Sequence, residues 1–236
     1  MQLSAPLPLL KKRARALARA DGIPLHQALD RIASQEGFPR WSLLVARLPS
    51  PAAAIHARLG PGDLLLIAAR PGEGKTLLGL ALAVEALKAG HAAVVFTLEY
   101  GPREVVERLR SLGVDGDTFG DRLRLDTSDS ICADHICTAL ATARPGTLML
   151  IDYLQLLDQR RTNPDLMTQI RQLRTFARAR GLIGAVLSQI DRRYDPDTRP
   201  LPDVDDLRLP NPLDPGLFDH HCFLNAGALR FIPARG

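Results

Sequence analysis

Between residues 69 and 76 the chain reads Ala69-Arg70-Pro71-Gly72-Glu73-Gly74-Lys75-Thr76. This is the spacing G-x-x-x-x-G-K-[ST], with alanine in place of the first glycine. Such a turn, entered from a strand and left through a helix, aims backbone N–H groups and a positive helix N-terminus at the same phosphate oxygens. Gly74 lets the backbone come close, Lys75 neutralises the β- and γ-phosphates, and the Thr76 hydroxyl ligates Mg²⁺. Arg70, Pro71, Gly72, Glu73, Gly74, Lys75 and Thr76 are therefore the candidate ATP-binding residues. The plainer alternative is a glycine-rich turn that happens to precede a lysine. The apolar run before it and the helical pattern after it favour the phosphate loop.

Three more polar residues each follow an apolar run. Leu148-Met149-Leu150-Ile151 leads to Asp152, a carboxylate placed to hold Mg²⁺ together with Thr76. Val94-Val95-Phe96-Thr97-Leu98 leads to Glu99, which can polarise an attacking water as a general base. Ala185-Val186-Leu187-Ser188 leads to Gln189, which can sense the γ-phosphate. Strand C-termini in α/β sheets share the crevice where ligands bind, so all three would face the 69–76 loop. Each also has a bland reading, as a buried strand ending in Asp, a surface acid and a loop cap. Lys75, Glu99 and Gln189 are the candidate catalytic residues, with Thr76 and Asp152 the candidate metal ligands.

These residues need a sheet to hold them. The sequence predicts strands over 63–69, 92–98, 122–126, 147–151 and 183–188, and helices over 75–89, 102–112, 132–143 and 165–180. The alternation implies an α/β domain with a mostly parallel sheet and right-handed crossovers. The stretch 191–217, rich in Pro and Asp, reads as a long surface loop, and 221–225 with 228–232 as a closing hairpin. Upstream, residues 1–50 read as a small all-helical unit with helices near 9–20, 24–35 and 42–48. Residues 51–60 read as a linker and 61–236 as the phosphate-loop domain.

Composition sets the outer limits. The chain has 236 residues, 46% hydrophobic and 24% charged, which excludes disorder, collagen and coiled coil as the main architecture. Three cysteines cannot make a disulfide framework and suit a reducing, cytoplasmic setting. No apolar stretch reaches the roughly 20 residues of a membrane span, and the basic first helix lacks the order of a signal peptide. Residues 1–60 carry nine Lys/Arg against three Asp/Glu, a basic module that suits a polyanionic partner.

The phosphate loop (Ala68 to Thr76), Phe96-Thr97-Leu98-Glu99, Ile151-Asp152-Tyr153-Leu154-Gln155-Leu156 and Leu187-Ser188-Gln189 together resemble the ATPase domain of DnaB-type replicative DNA helicases. The likeness runs over roughly 60–208 in matching order. It implies a RecA-like core in which Lys75 and Thr76 bind phosphate and Mg²⁺, Asp152 supports the metal, Glu99 activates water and Gln189 reports the γ-phosphate. The chain departs from the family at its ends. Residues 1–60 do not resemble the family's helical collar, and the late Lys-x-Arg finger has no evident counterpart, Arg230 and Arg235 being the late arginines. Homo-oligomerisation is thus possible without its usual marker.

In the core that the resemblance implies, the loops after Asp152 and Gln189 line a channel for single-stranded DNA. They hold Arg160 and Arg161, and Arg192, Arg193 and Arg199, with Tyr194 able to stack on a base. Interleaved Asp158, Asp191, Asp195 and Asp197 leave open a self-paired, solvated loop. Cys132, His135 and Cys137 have a zinc-like spacing, but lie in a predicted helix without a fourth ligand, so buried structural cysteines are expected. The leading reading is an ATP-hydrolysing helicase-like protein acting on single-stranded DNA. Its rivals are an ATP-dependent switch controlling a protein partner, and a small-molecule kinase with 191–217 as lid.

Overall fold

Leu64 to Ala69 is an unbroken apolar run, and it is buried at every position. That pattern needs a strand covered on both faces. In the computed structural model, which describes all residues except 1, 2, 6, 49, 115, 159–162, 209–212 and 234–236, this run is the strand β1 (Leu64–Ala69). The chain folds as two compact units, residues 1–50 and 51–236.

The first unit holds three helices, α1 (Leu7–Asp21), α2 (Leu25–Gln35) and α3 (Trp41–Arg47). Leu10 and Ala14 on α1 meet Ala28 and Ile32 on α2, a core kept small by the many alanines. The opposite side of α1 exposes Lys11, Lys12, Arg13, Arg15 and Arg19.

The second unit begins with α4 (Pro51–His56) and β1, then α5 (Lys75–Lys88), β2 (Ala93–Thr97), α6 (Pro102–Ser111), β3 (Leu123–Asp126) and α7 (Ala133–Ala139). It continues with β4 (Leu148–Asp152), α8 (Leu166–Arg180), β5 (Ile183–Gln189), β6 (His220–Asn225) and β7 (Ala228–Pro233). The seven strands lie in the order β3-β2-β4-β5-β1-β6-β7, all parallel except β7. Side chains alternate between two cores. Leu64, Leu66, Ala68, Met149 and Ile151 pack beneath α7 and α8. Leu65, Ile67, Leu148, Leu150 and Ala185 pack beneath α4 and α5. Gly79 lets α5 press on β4, since a Cβ there would lie 2.8 Å from Leu150 Cδ1. Among the described residues no helix is long and apolar enough to cross a membrane.

Three expectations are corrected. The stretch 51–60, read as a linker, contains α4, whose Ala52 and Ile55 are 2% and 3% exposed in the α5-side core. Proline suits a helix start and alanine its interior, so the same residues that suggest a spacer favour a helix. The helix expected over 132–143 is confined to Ala133–Ala139, and Pro145 with Gly146 at φ +81° turns the chain into β4. The 191–217 segment is not a free surface loop: Tyr194, Leu207, Leu213 and Leu217 are buried in the α8-side core. Ile190 also bridges to Leu207.

The placement of α4 can be tested. Ile55→Ala should lower stability by about 2–4 kcal/mol in urea denaturation, as for a large-to-small change in a core. A residue in a solvated linker would cost within about 0.5 kcal/mol.

Candidate functional site

β1 delivers the chain to the turn, and α5 takes it away. Gly72 and Gly74 stand at φ +84° and +88°, backbone that only glycine adopts without strain. Gly74 is the N-cap of α5 and supplies no side-chain cap. The first-turn N–H groups of a helix have no intrahelical acceptor, so α5 presents unsatisfied donors and its positive end at this turn. The turn is braced on two sides. The Ala226 N–H, at the tip between β6 and β7, donates to Glu73 Oε2 at 2.6 Å. The Arg70 guanidinium donates to the carbonyl oxygens of Arg192, at 2.9 Å, and Tyr194.

Parallel register brings the other candidates alongside. Thr97 pairs with Asp152, and Ala69 pairs with Gln189. Lys75 and Thr76 are each 7% exposed and Asp152 is 1% exposed. Lys75 Nζ lies 3.8 Å from Glu99 Oε2 and 5.9 Å from the Tyr153 ring centre. The Glu99 N–H donates to Thr97 Oγ1 at 3.1 Å, fixing the carboxylate's stem at the strand end. Both carboxylate oxygens of Asp152 are enclosed, with the Thr76 hydroxyl as their neighbouring donor. Burial pushes the Asp152 pKa up to about 6, against the pull of the Lys75 charge and the neighbouring Thr76 hydroxyl, while the Glu99 charge raises it further. The enclosed Asp152 carboxylate and the adjoining Thr76 hydroxyl are oxygen donors that fit a hard divalent cation. Gln189 is engaged: Arg208 donates to its Oε1 at 3.1 Å.

The structure thus brings together Lys75, Thr76, Glu99, Asp152 and Gln189 at one edge of the sheet. Other expectations fare differently. Arg160, Arg161 and Arg235 lie outside the described residues. Arg192 is exposed, and Arg193 is 91% exposed while pairing with Asp191 at 3.0 Å. Arg199 is paired with Asp203 and Asp206, the latter at 2.7 Å, the self-paired arrangement that the interleaved acids allow. Tyr194 is 3% exposed and its hydroxyl donates to the Arg199 carbonyl at 2.8 Å, so it is not open for stacking on a base. Arg230 donates to the Pro202 carbonyl at 2.6 Å within its own chain. Cys137 is pushed up to about 11 by burial, His135 pairs with Asp126 at 2.8 Å, and no cluster of metal-ligating side chains occurs among the described residues.

Two contributors escaped the sequence reading. Arg108 on α6 sits 4.0 Å over the Tyr100 ring and its charge lowers the Asp152 pKa. Arg208 holds Gln189. The only signal for Arg108 is that its helix starts three residues after Glu99; Arg208 closes the Asp206-Leu207-Arg208 segment where the family likeness ends.

The family model described as the DnaB-like helicase C-terminal domain matches residues 54–118, from α4 past Glu99. The replicative DNA helicase DnaC of Bacillus subtilis (strain 168) is 27% identical over 180 residues, 62% of this chain and 39% of that protein. The chain therefore spans well under half the length of this relative. A solved structure described as an ATPase domain superposes with a TM-score of 0.55 at 19% identity, covering 77% of this chain and 79% of that one. A DnaB-like replicative helicase, described with its interactions with primase, gives 0.55 at 18% identity over 91% of this chain and 65% of that one. The resemblance carried by the motifs is borne out, and the fold is shared with these two solved structures.

The enclosed Asp152 yields a pH prediction. Its folded pKa is raised above the unfolded value of 3.8, so without nucleotide or metal it lowers stability as pH rises from about 4 to about 6. Asp152→Asn should raise ligand-free stability at pH 7.5 by roughly 2–3 kcal/mol and leave it nearly unchanged at pH 4, by urea denaturation at both values.

Proposed function

We propose that this chain binds Mg²⁺–ATP, hydrolyses it, and acts on single-stranded DNA. The observation that carries the reading is the enclosed Asp152 carboxylate beside Lys75 and Thr76, at an N-terminus of α5 without a side-chain cap. Thr76 and Asp152 would hold the metal ion, and residues 70–76 the phosphates. The bound cation would supply charge neutralisation at the β- and γ-phosphates. Lys75 holds one positive charge against the phosphate oxygens. Glu99, fixed at a strand end and facing Lys75, takes a proton from water as general base. Gln189, whose Oε1 accepts from Arg208, would report the γ-phosphate.

Calorimetry and steady-state turnover test this directly. Lys75→Ala should abolish tight Mg²⁺–ATP binding in a folded protein. Glu99→Gln should keep binding and lose about 10²–10⁴-fold in turnover. Unchanged affinity in the first variant would remove the phosphate-loop assignment, and unchanged turnover in the second would make Glu99 an ordinary strand-end acid.

For the DNA partner, the exposed Arg192 and Arg193 and the basic face of α1 are the support. Binding to a dT oligonucleotide should weaken steeply with salt, each phosphate contact adding about 0.7 to the slope of log K on log salt. Replacing Arg192 and Arg193 by Ala should reduce that slope. Absence of salt-sensitive binding at low ionic strength would favour a second reading, an ATP-dependent switch acting on a protein partner. The bond of Arg230 to the Pro202 carbonyl of its own chain is the observation that favours that alternative.

A further inference from the structure

The segment after β5 leaves the sheet at Gln189 and returns to it. The Asp191 N–H donates to the Asp206 carbonyl at 2.7 Å, and the Arg208 N–H to the Gln189 carbonyl at 2.8 Å. The second half of the segment is fastened to the closing hairpin. Asn225 Nδ2 donates to Pro200 O at 3.0 Å, and Arg230 donates to Pro202 O. The first half carries the exposed Arg192 and Arg193. Among the described residues, the hydrogen bonds that reach the main chain of 192–194 from outside the segment come from one side chain, Arg70. Its guanidinium also lies 5.5 Å over the ring of the buried Tyr194. The remaining bonds there are internal, the Arg193 and Tyr194 N–H groups both donating to Asp191.

Arg70 is itself part of the phosphate loop, and a guanidinium serves as a rigid fork of donors. Here both carbonyl bonds come from one nitrogen of the fork, Nη2, and both acceptors are neutral. Hydrogen bonds to ionised acceptors are about twice as strong as those to neutral ones. A polyphosphate at residues 70–76 would compete for the position of the same guanidinium. We infer that Arg70 is a positioning residue that couples occupancy of the phosphate loop to the 192–194 backbone. Bound nucleotide draws the guanidinium from the Arg192 and Tyr194 carbonyls and loosens the stretch that presents Arg192 and Arg193. The inference rests on the nucleotide-binding reading above and adds to it the residue that connects the two sites.

Hydrogen–deuterium exchange on the full chain tests this, with and without Mg²⁺ and a non-hydrolysable ATP analogue, bound occupancy being checked by calorimetry. In the wild type, exchange at the Arg193 and Tyr194 amides should rise roughly tenfold on nucleotide binding, the effect of losing about one hydrogen bond. In Arg70→Ala those amides should exchange fast in both states. Tyr194→Leu leaves the phosphate loop intact while removing the ring beneath the guanidinium, and should shrink the nucleotide response; it decides the matter if the Arg70 variant fails to fold or to bind. A response of wild-type size in nucleotide-bound variants would overturn the coupling, as would a nucleotide-bound wild type without a change at 192–194. A wild type that binds no nucleotide would overturn the functional reading and the coupling with it, and calorimetry separates that outcome from the others.

Discussion

The parallel register of β2, β4, β5 and β1 is the constraint on which the site depends. Four strands run the same way in contiguous order, so their C-termini open onto one edge. With Thr97 beside Asp152 and Ala69 beside Gln189, polar residues far apart in the chain are forced into a common crevice. Packing on both faces enforces that register. A slip of one residue would send Leu65 and Ile67 to the α8 side and Leu64 and Leu66 to the α5 side, inverting both cores at once. Burial of Leu, Val and Ile thus sets the geometry, and the polar groups occupy the positions it leaves at the strand ends.

Asp152 shows what that arrangement costs. A carboxylate taken from water destabilises the ligand-free fold, and burial holds its pKa well above the usual range. Lys75 offsets part of this, yet it also faces Glu99. The cluster is therefore electrostatically incomplete in the protein alone, a common condition at sites built for a charged ligand.

Much of this was legible in the sequence. Continuous apolar runs mark strands covered on both faces, and the turn at 69–76 carries its chemistry in residue order. Glu99, Asp152 and Gln189 stand at the ends of such runs, and strand ends in a parallel sheet share one edge. What escaped has identifiable causes. The buried residues Tyr194, Leu207, Leu213 and Leu217 are too irregularly spaced to show a helical or strand period, so prolines and aspartates dominated the reading of 191–217. Arg199 finds acids at 203 and 206 through an irregular backbone, where spacing rules for helices do not apply. The alanines of α4 suit a spacer and a helix equally until the core that receives Ile55 is known.

The bond from the Ala226 amide to Glu73 spans 153 residues, and β6 is the strand that flanks β1 on its far side. Strand pairing over such a separation forms late, because a long loop must close before any contact rewards it. During synthesis, the glycine-rich turn and Asp152 emerge from the ribosome well before the hairpin that braces them. A nascent chain ending near residue 210 would hold β1 as an unpaired sheet edge, apolar and open to the wrong neighbours. The braced 70–76 turn and the protected β1 edge thus arrive together, when β6 and β7 join the sheet.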